Sequence, residues 1–267
     1  MNYRAFFGLS KEPFAADLAL DAILKTEDLL AVEQRILYTI GLGAIALVTG
    51  EVGAGKSTTL RWVCGQLHPS KYKSLWVTAT SGSILELYRQ LLGELDIRSA
   101  SSSRAILTGQ IRTQILALVQ SKKQQPVLII DEASLLRLDV FAELHTLTQF
   151  DGDSKPYLPI ILAGQNNLAD NLLYRSAVPL SSRIVARSHL QEVNREGMER
   201  YLTHHLKIAG LKHSAFDDQA VTAIHQGSGG LFRKANHLAR GALLAAASEK
   251  SQVVTAEHVR LASTELF

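Results

Sequence analysis

Eight consecutive residues, Gly50-Glu51-Val52-Gly53-Ala54-Gly55-Lys56-Ser57, satisfy the pattern G-x-x-x-x-G-K-[ST] at every fixed position. The chemistry this spacing serves is the binding of a polyphosphate. The glycines let successive backbone N–H groups curl around phosphate oxygens, and a helix opening at Ser57 and Thr58 adds its partial positive charge. Ala54 completes the loop. Lys56 is placed to reach the β- and γ-phosphates, and the Ser57 hydroxyl is a candidate ligand for Mg2+. Such a loop needs an acidic partner on a neighbouring strand. The run Pro126-Val-Leu-Ile-Ile-Asp131-Glu132 ends in adjacent carboxylates 75 residues after Lys56. Asp131 is the candidate to hold Mg2+ through water, and Glu132 the candidate base that orients and deprotonates an attacking water.

Strands and helices must deliver these groups. Ala44–Thr49, Ser74–Thr78, Val127–Ile130 and Pro159–Ala163 read as strands whose near-continuous apolar character suits burial on both faces, with a fifth at Ile184–Leu190. Helical patterns lie around them, over about 27–41, 56–67, 83–95, 104–121, 138–150 and 167–173. The alternation predicts an α/β fold with a central parallel sheet flanked by helices. From about Val193 only helical patterns remain, near 194–210, 217–227, 231–249 and 255–264, with Asp217 and Thr255 as candidate helix starts. The expectation is an α/β nucleotide-binding domain over residues 1–192, the N-terminal segment 1–40 included, and a small all-helical lid domain over 193–267.

The 267 residues are 46% hydrophobic and 20% charged, which excludes a disordered chain. No run approaches the roughly 18 apolar residues of a membrane span, and Met1-Asn2-Tyr3-Arg4 opens no secretory segment. The single cysteine, Cys64, makes neither an intramolecular disulfide nor a zinc site and reads as packing. His204 and His205, being adjacent, point apart on a helix and make a poor metal pair, and Trp62 and Trp76 read as core. A cytoplasmic protein without direct membrane insertion is expected.

The glycine loop, the Asp-Glu strand, Ile161-Leu162-Ala163-Gly164-Gln165, a Ser-Arg-Ile element and the C-terminal helices together resemble an AAA+ ATPase, a P-loop NTPase core with a helical lid. The resemblance implies ATP and Mg2+ as cofactors. It implies that Gln165, or Asn166 beside it, senses the γ-phosphate. Ser182-Arg183-Ile184 is similar to the Ser-Arg-Cys element of clamp loaders, which makes Arg183 the candidate arginine finger for a neighbouring subunit's nucleotide, with Arg175 and Arg187 as rivals. Arg233, opening a helix after Gly229-Gly230, resembles the lid arginine that contacts the nucleotide.

More narrowly, the chain is similar to the ExeA/GspA-like family. The matching pieces are Phe6-Phe7-Gly8-Leu9 with Glu12-Pro13-Phe14, the Gly50-Glu51-Val52-Gly53 lead, Ala163-Gly164-Gln165 with Leu168, and Ser228-Gly229-Gly230 with Arg233 and Asn236. Asn166-Asn167 stand where that family suggests Pro-Glu. Pro13 and Phe14 either contact the adenine, as the resemblance implies, or pack in the core. Members acting in secretion carry a membrane span and a peptidoglycan-binding region after the ATPase, and this sequence ends at Phe267 with neither. The expectation is therefore a short standalone form resembling the transposition helper ATPases (MuB/TniB-like).

Charge bears on the partner. The net charge is +3, but Arg61–Gln125 alone carries +6 and the remainder −3. The excess favours a polyanion, with Lys71, Lys73, Arg98, Arg104, Lys122 and Lys123 as candidate contacts to a DNA backbone. The leading expectation is an ATP-dependent homo-oligomer, ring or helical filament, that binds duplex DNA non-specifically and serves a transposase in target selection. The alternatives are a secretion-linked ATPase that handles protein partners without nucleic acid, and a nucleotide-controlled binding switch of low turnover.

Overall fold

The computed structural model describes residues 2–265, with no account of the Glu265 side chain. The chain divides into two compact units: one comprises Thr26–Gly50 and Lys56–Leu190, the other the residues up to Lys25, Glu51–Gly55 and those from Gln191 onward.

The first unit is built on five strands, β1 (Ile45–Gly50), β2 (Tyr72–Thr78), β3 (Gln125–Asp131), β4 (Ile160–Gly164) and β5 (Ile184–Leu190). Every pairing is parallel and the order is β2-β3-β4-β1-β5. The continuous apolar runs occupy the centre, where β1 and β4 are buried at every residue, while the edge strand β5 mixes exposed and buried positions. Its helices include α2 (Glu27–Leu42), α3 (Lys56–Gln66), α4 (Ile84–Glu94) and α5 (Arg104–Leu116), the last extended by a π-helical turn over Ala117–Ser121. Three short ones follow, α6 (Leu138–Leu144), α7 (Asn167–Asn171) and α8 (Val178–Ser181).

Right-handed crossovers decide which face each helix covers. The chain steps one way from β1 to β2 through α3, then the opposite way from β2 to β3, β4 and β5, so α4–α8 fall on the face opposite α3. The core agrees: Ile45, Leu47, Leu75, Val77, Leu128, Ile130, Ile160 and Leu162 share one cluster with Leu91, Ile111, Phe141 and Leu180. Alternate residues of the same strands point to the other face.

The second unit is helical: α1 (Tyr3–Phe7), α9 (Arg195–Ile208), α10 (Asp218–Ser228), α11 (Phe232–Ser248) and α12 (Ala256–Glu265). Asn194 and Asp217 cap α9 and α10 through their side-chain oxygens, accepting from Gly197 N and Ala220 N at 2.8 and 2.6 Å.

The N-terminal residues up to Lys25, assigned above with the α/β domain, group instead with these helices. Phe7, Leu9 and Phe14 are buried in one core with Met198, Leu202 and Leu243. The Ser10 amide donates to Ala209 O at 2.8 Å and Arg240 Nη2 to Phe14 O at 2.9 Å. Phe14 is 2% exposed and stacks on His205 at 5.1 Å, so it fills the core, the second of its two readings. Among the described residues no helix is long and apolar enough to cross a membrane.

Candidate functional site

Three strand ends meet at one edge of the sheet. β4 lies between β1 and β3, with Thr49 opposite Gly164 and Ile130 opposite Leu162. Gly50, Asp131-Glu132 and Gly164-Gln165 therefore leave the sheet side by side, and at the usual strand spacing Gly50 and Asp131 stand about 10 Å apart across β4. This is the arrangement a triphosphate site needs: a phosphate loop on one strand, carboxylates two strands away and a polar residue between.

The Lys56 side chain is buried and its Nζ donates to Gly50 O at 2.8 Å, which curls the loop back on its own start. Lys56 also opens α3, so Ser57 and Thr58, both exposed, lie in its first turn where backbone N–H groups lack helical partners. Glu51–Gly55 belongs to the helical unit by its contacts. The Arg233 amide donates to Gly53 O at 3.3 Å, and a Cβ on Gly53, whose φ is +90°, would stand 2.8 Å from the Arg233 Cβ. The loop thus needs glycine there both for its backbone and for its approach to α11. A helix N-terminus, an ammonium and a hydroxyl form a donor set that fits a Mg2+-bound triphosphate, with Ser57 and Asp131 as the residues that would hold the metal.

Asp131 is buried and its Oδ1 accepts from the Glu132 amide at 2.9 Å. Glu132 sits in the left-handed region at φ +54°. That conformation is costly for a non-glycine residue, by about 1–3 kcal/mol, and tends to persist where a side chain must be aimed. The turn that follows brings Ser134 against β4: the Gln165 amide donates to Ser134 Oγ at 3.3 Å, and a Cβ on Gly164 would meet Ser134 N at 2.8 Å. Ser134 links the segment bearing Glu132 to the one bearing Gln165, a role that nothing in its local sequence signals.

Arg183 lies at the other end of the sheet. Its carbonyl accepts from Ile45 N at 3.1 Å, at the start of β1, so a strand length of about 17 Å separates it from Gly50. Its side chain is held locally, Nη1 on Pro179 O at 3.0 Å and Nη2 on Asp153 Oδ2 at 2.5 Å. Arg175 and Arg187 are exposed.

The basic residues divide. Lys71 and Lys73 open β2 and Lys122 and Lys123 precede β3; the two strands start together, with Gln125 N donating to Lys71 O at 2.7 Å. Four lysines therefore share the end of the sheet opposite the phosphate loop, and Lys73 also pairs with Asp96 at 3.7 Å. Arg104 does not join them: it opens α5, which runs towards the start of β3, and it is paired with Glu143. Arg98 is exposed between α4 and α5. Burial pushes the Cys64 thiol up to about 11, which leaves it no thiolate chemistry at neutral pH.

Fold and loop define the class: the chain has the AAA+ form of the P-loop α/β fold. The AAA domain family profile matches residues 41–172. In sequence the chain is similar to general secretion pathway protein A of Aeromonas hydrophila, 30% identical over 268 residues, which is 99% of this chain and 48% of that protein. The chain spans about half the length of that relative. Among solved structures, Cdc6p of Pyrobaculum aerophilum superposes with a TM-score of 0.75 at 15% identity, over 95% of this chain and 70% of that one. The ORC1 protein of Aeropyrum pernix, in complex with DNA, gives 0.70 at 17% over 95% and 68%. The RuvB Holliday junction branch migration motor of Thermotoga maritima gives 0.57 at 17% over 95% and 73%.

Proposed function

We propose that this chain is a cytoplasmic Mg2+-dependent ATPase that assembles with ATP at the interfaces between copies and, in that state, binds duplex DNA non-specifically as a target-selection helper for a transposase. The observation that carries the ATPase reading is the alignment of the Lys56 loop, Asp131-Glu132 and Gln165 at one edge of the sheet. In this reading Gly50, Gly53, Ala54, Gly55, Lys56, Ser57 and Thr58 bind the phosphates, and Ser57 and Asp131 would hold Mg2+, which would supply positive charge beside them. Glu132 takes the proton of the attacking water, Gln165 senses the γ-phosphate, and Arg233 contacts the nucleotide from the lid.

Arg183 completes the site of a neighbouring copy. It stands a strand length from its own phosphate loop, so it serves another copy's triphosphate and not its own. Large apolar groups exposed in the same segment, Leu173 at 74%, Tyr174 at 55% and Val178 at 50%, support an interface there. Lys71, Lys73, Lys122 and Lys123 are the DNA contacts, and their charges suit backbone binding that weakens with salt.

A second reading has its own support. The similarity to general secretion pathway protein A runs along 99% of this chain and favours an ATPase acting on protein partners of the cell envelope. Fluorescence anisotropy of a labelled random duplex, with Mg-ATP, a non-hydrolysable analogue and ADP at two salt concentrations, separates the two. Tight, cooperative and salt-sensitive binding with triphosphate alone, lost in Lys56→Ala and weakened with a shallower salt slope in Lys122→Ala/Lys123→Ala, is expected. No binding in any nucleotide state rejects the DNA reading and leaves the envelope one.

A further inference from the structure

The chain makes a tight turn at residues 150–155, and its tip reaches Arg183. Phe150 and Lys155 form an antiparallel bridge at its base, and Ser154 ties it internally, amide to Phe150 O at 3.1 Å and Oγ to Asp151 O at 2.7 Å. Phe150 is buried and lies under the Arg112 guanidinium at 4.8 Å, while Arg112 also bonds the Thr146 carbonyl at 3.2 Å and the Gln149 carbonyl. Asp151, Gly152 and Asp153 are three successive left-handed residues, at φ 48°, 63° and 68°. This turn, braced from below by Arg112, carries two carboxylates: Asp151 faces Ser154 Oγ at 3.5 Å within the turn, and Asp153 meets Arg183.

We infer that Asp153 is a positioning residue for Arg183. The inference rests on the reading of Arg183 as the arginine that acts on a neighbour's nucleotide. An arginine on an exposed surface samples many rotamers, and fixing them at the moment of reaction costs free energy that then comes off transition-state stabilisation. Held between Pro179 O and Asp153, the guanidinium keeps one orientation before a neighbour arrives. Each Nη retains a second hydrogen and Nε–H is uncommitted to either partner, so the group still has donors for phosphate oxygens. The side chain is 25% exposed in this grip, and Asp153 is 49% exposed. An ion pair so placed supports the arginine modestly, and the expected loss on removing it is about threefold to tenfold in turnover.

Two substitutions suit the left-handed backbone at this position. Asp153→Gly deletes the side chain without strain, and Asp153→Asn keeps an acceptor oxygen and the αL preference while removing the charge. Turnover of ATP by the assembled protein and affinity for a fluorescent ATP analogue at low protein concentration are measured for both, for Arg183→Ala, and for Asp153→Gly/Arg183→Ala. Expected are a turnover about threefold to tenfold lower in Asp153→Gly, an intermediate value in Asp153→Asn, unchanged nucleotide affinity, and a double variant no slower than Arg183→Ala alone. Wild-type or faster turnover in Asp153→Gly, with Arg183→Ala slow, overturns the positioning role alone. The same factor lost again in the Arg183→Ala background also overturns it, since Asp153 then acts through something other than that arginine. Unchanged turnover in Arg183→Ala removes the finger reading and this inference with it.

Discussion

The two units are packed by different means. In the α/β unit, large aliphatic side chains on buried strands meet helices: Ile129, Ile130, Ile160, Ile161 and Leu162 are all fully buried. In the helical unit the central helix α11 buries Ala235, Ala239, Ala242, Ala246 and Ala247, and Gly241 lies where a Cβ would come within 2.7 Å of the Ala262 Cβ. Beside these lie aliphatic side chains such as Leu202 and Leu243 and an aromatic group around a buried histidine, with Tyr201 4.4 Å from both His205 and Phe232. The sheet gains its stability from apolar bulk and tolerates little loss of it. The helices gain theirs from closeness and tolerate little gain. In function they differ as well, because the carboxylates sit in the first unit and the backbone of the phosphate loop is shared out to the second.

Four changes sharpen that contrast, in falling order of effect. Glu132→Gln, on the rigid strand end, is expected to lower ATP turnover about 100-fold or more while leaving nucleotide binding intact, measured by phosphate release against titration with a fluorescent analogue. Ile129→Ala, at the centre of the sheet, is expected to cost about 2–5 kcal/mol. Both tryptophans, Trp62 and Trp76, lie in the α/β unit, so this loss appears in the tryptophan-fluorescence unfolding curve.

The opposite manipulation suits the helical unit. Gly241→Leu, which adds bulk between α11 and α12, is expected to cost about 1–3 kcal/mol, read as faster hydrogen exchange over residues 232–248. Wild-type exchange in that variant would dispose of the claim that closeness holds these helices. The smallest effect at neutral pH is the fourth, which grows as the pH falls. Burial, and secondarily His204, lower the His205 pKa from 6.5 to about 4. Below pH 6.5 the unfolded chain gains a proton here that the folded chain refuses until about pH 4, so stability falls as the pH drops through that window. His205→Phe is expected to flatten the decline in Tm; an unaltered decline would assign it to other groups.

The sequence carries the α/β unit plainly because its signals are local. Four apolar runs and a glycine loop are patterns of period and spacing, and the five strands begin and end within two residues of where those patterns put them. The helices of the C-terminal part follow from the same kind of signal. What stays hidden depends on pairing across the chain. Phe14 is an aromatic residue with no periodic context, and its stacking on His205, like the bond from Ser10 N to Ala209 O, joins segments nearly 200 residues apart. Lys71 and Lys122 become neighbours through the register of β2 on β3, whereas Arg104, close to them in charge count, is carried away by the direction of α5. Nothing beside Asp153 in the sequence signals the partner of its carboxylate, which lies 30 positions further along.

The grip of α11 on the phosphate loop is made by the amide of residue 233 and not by its guanidinium. An alanine scan is blind to it: Arg233→Ala removes the charge and leaves the link in place, so a mild phenotype would say little about the mechanical role of the helix. Arg233→Pro removes both. In the first turn of a helix proline is tolerated, so the difference between the proline and alanine variants, neither of which carries the guanidinium, isolates the N–H. The same separation makes the link to the loop independent of which side chain residue 233 carries, so long as the residue keeps its N–H.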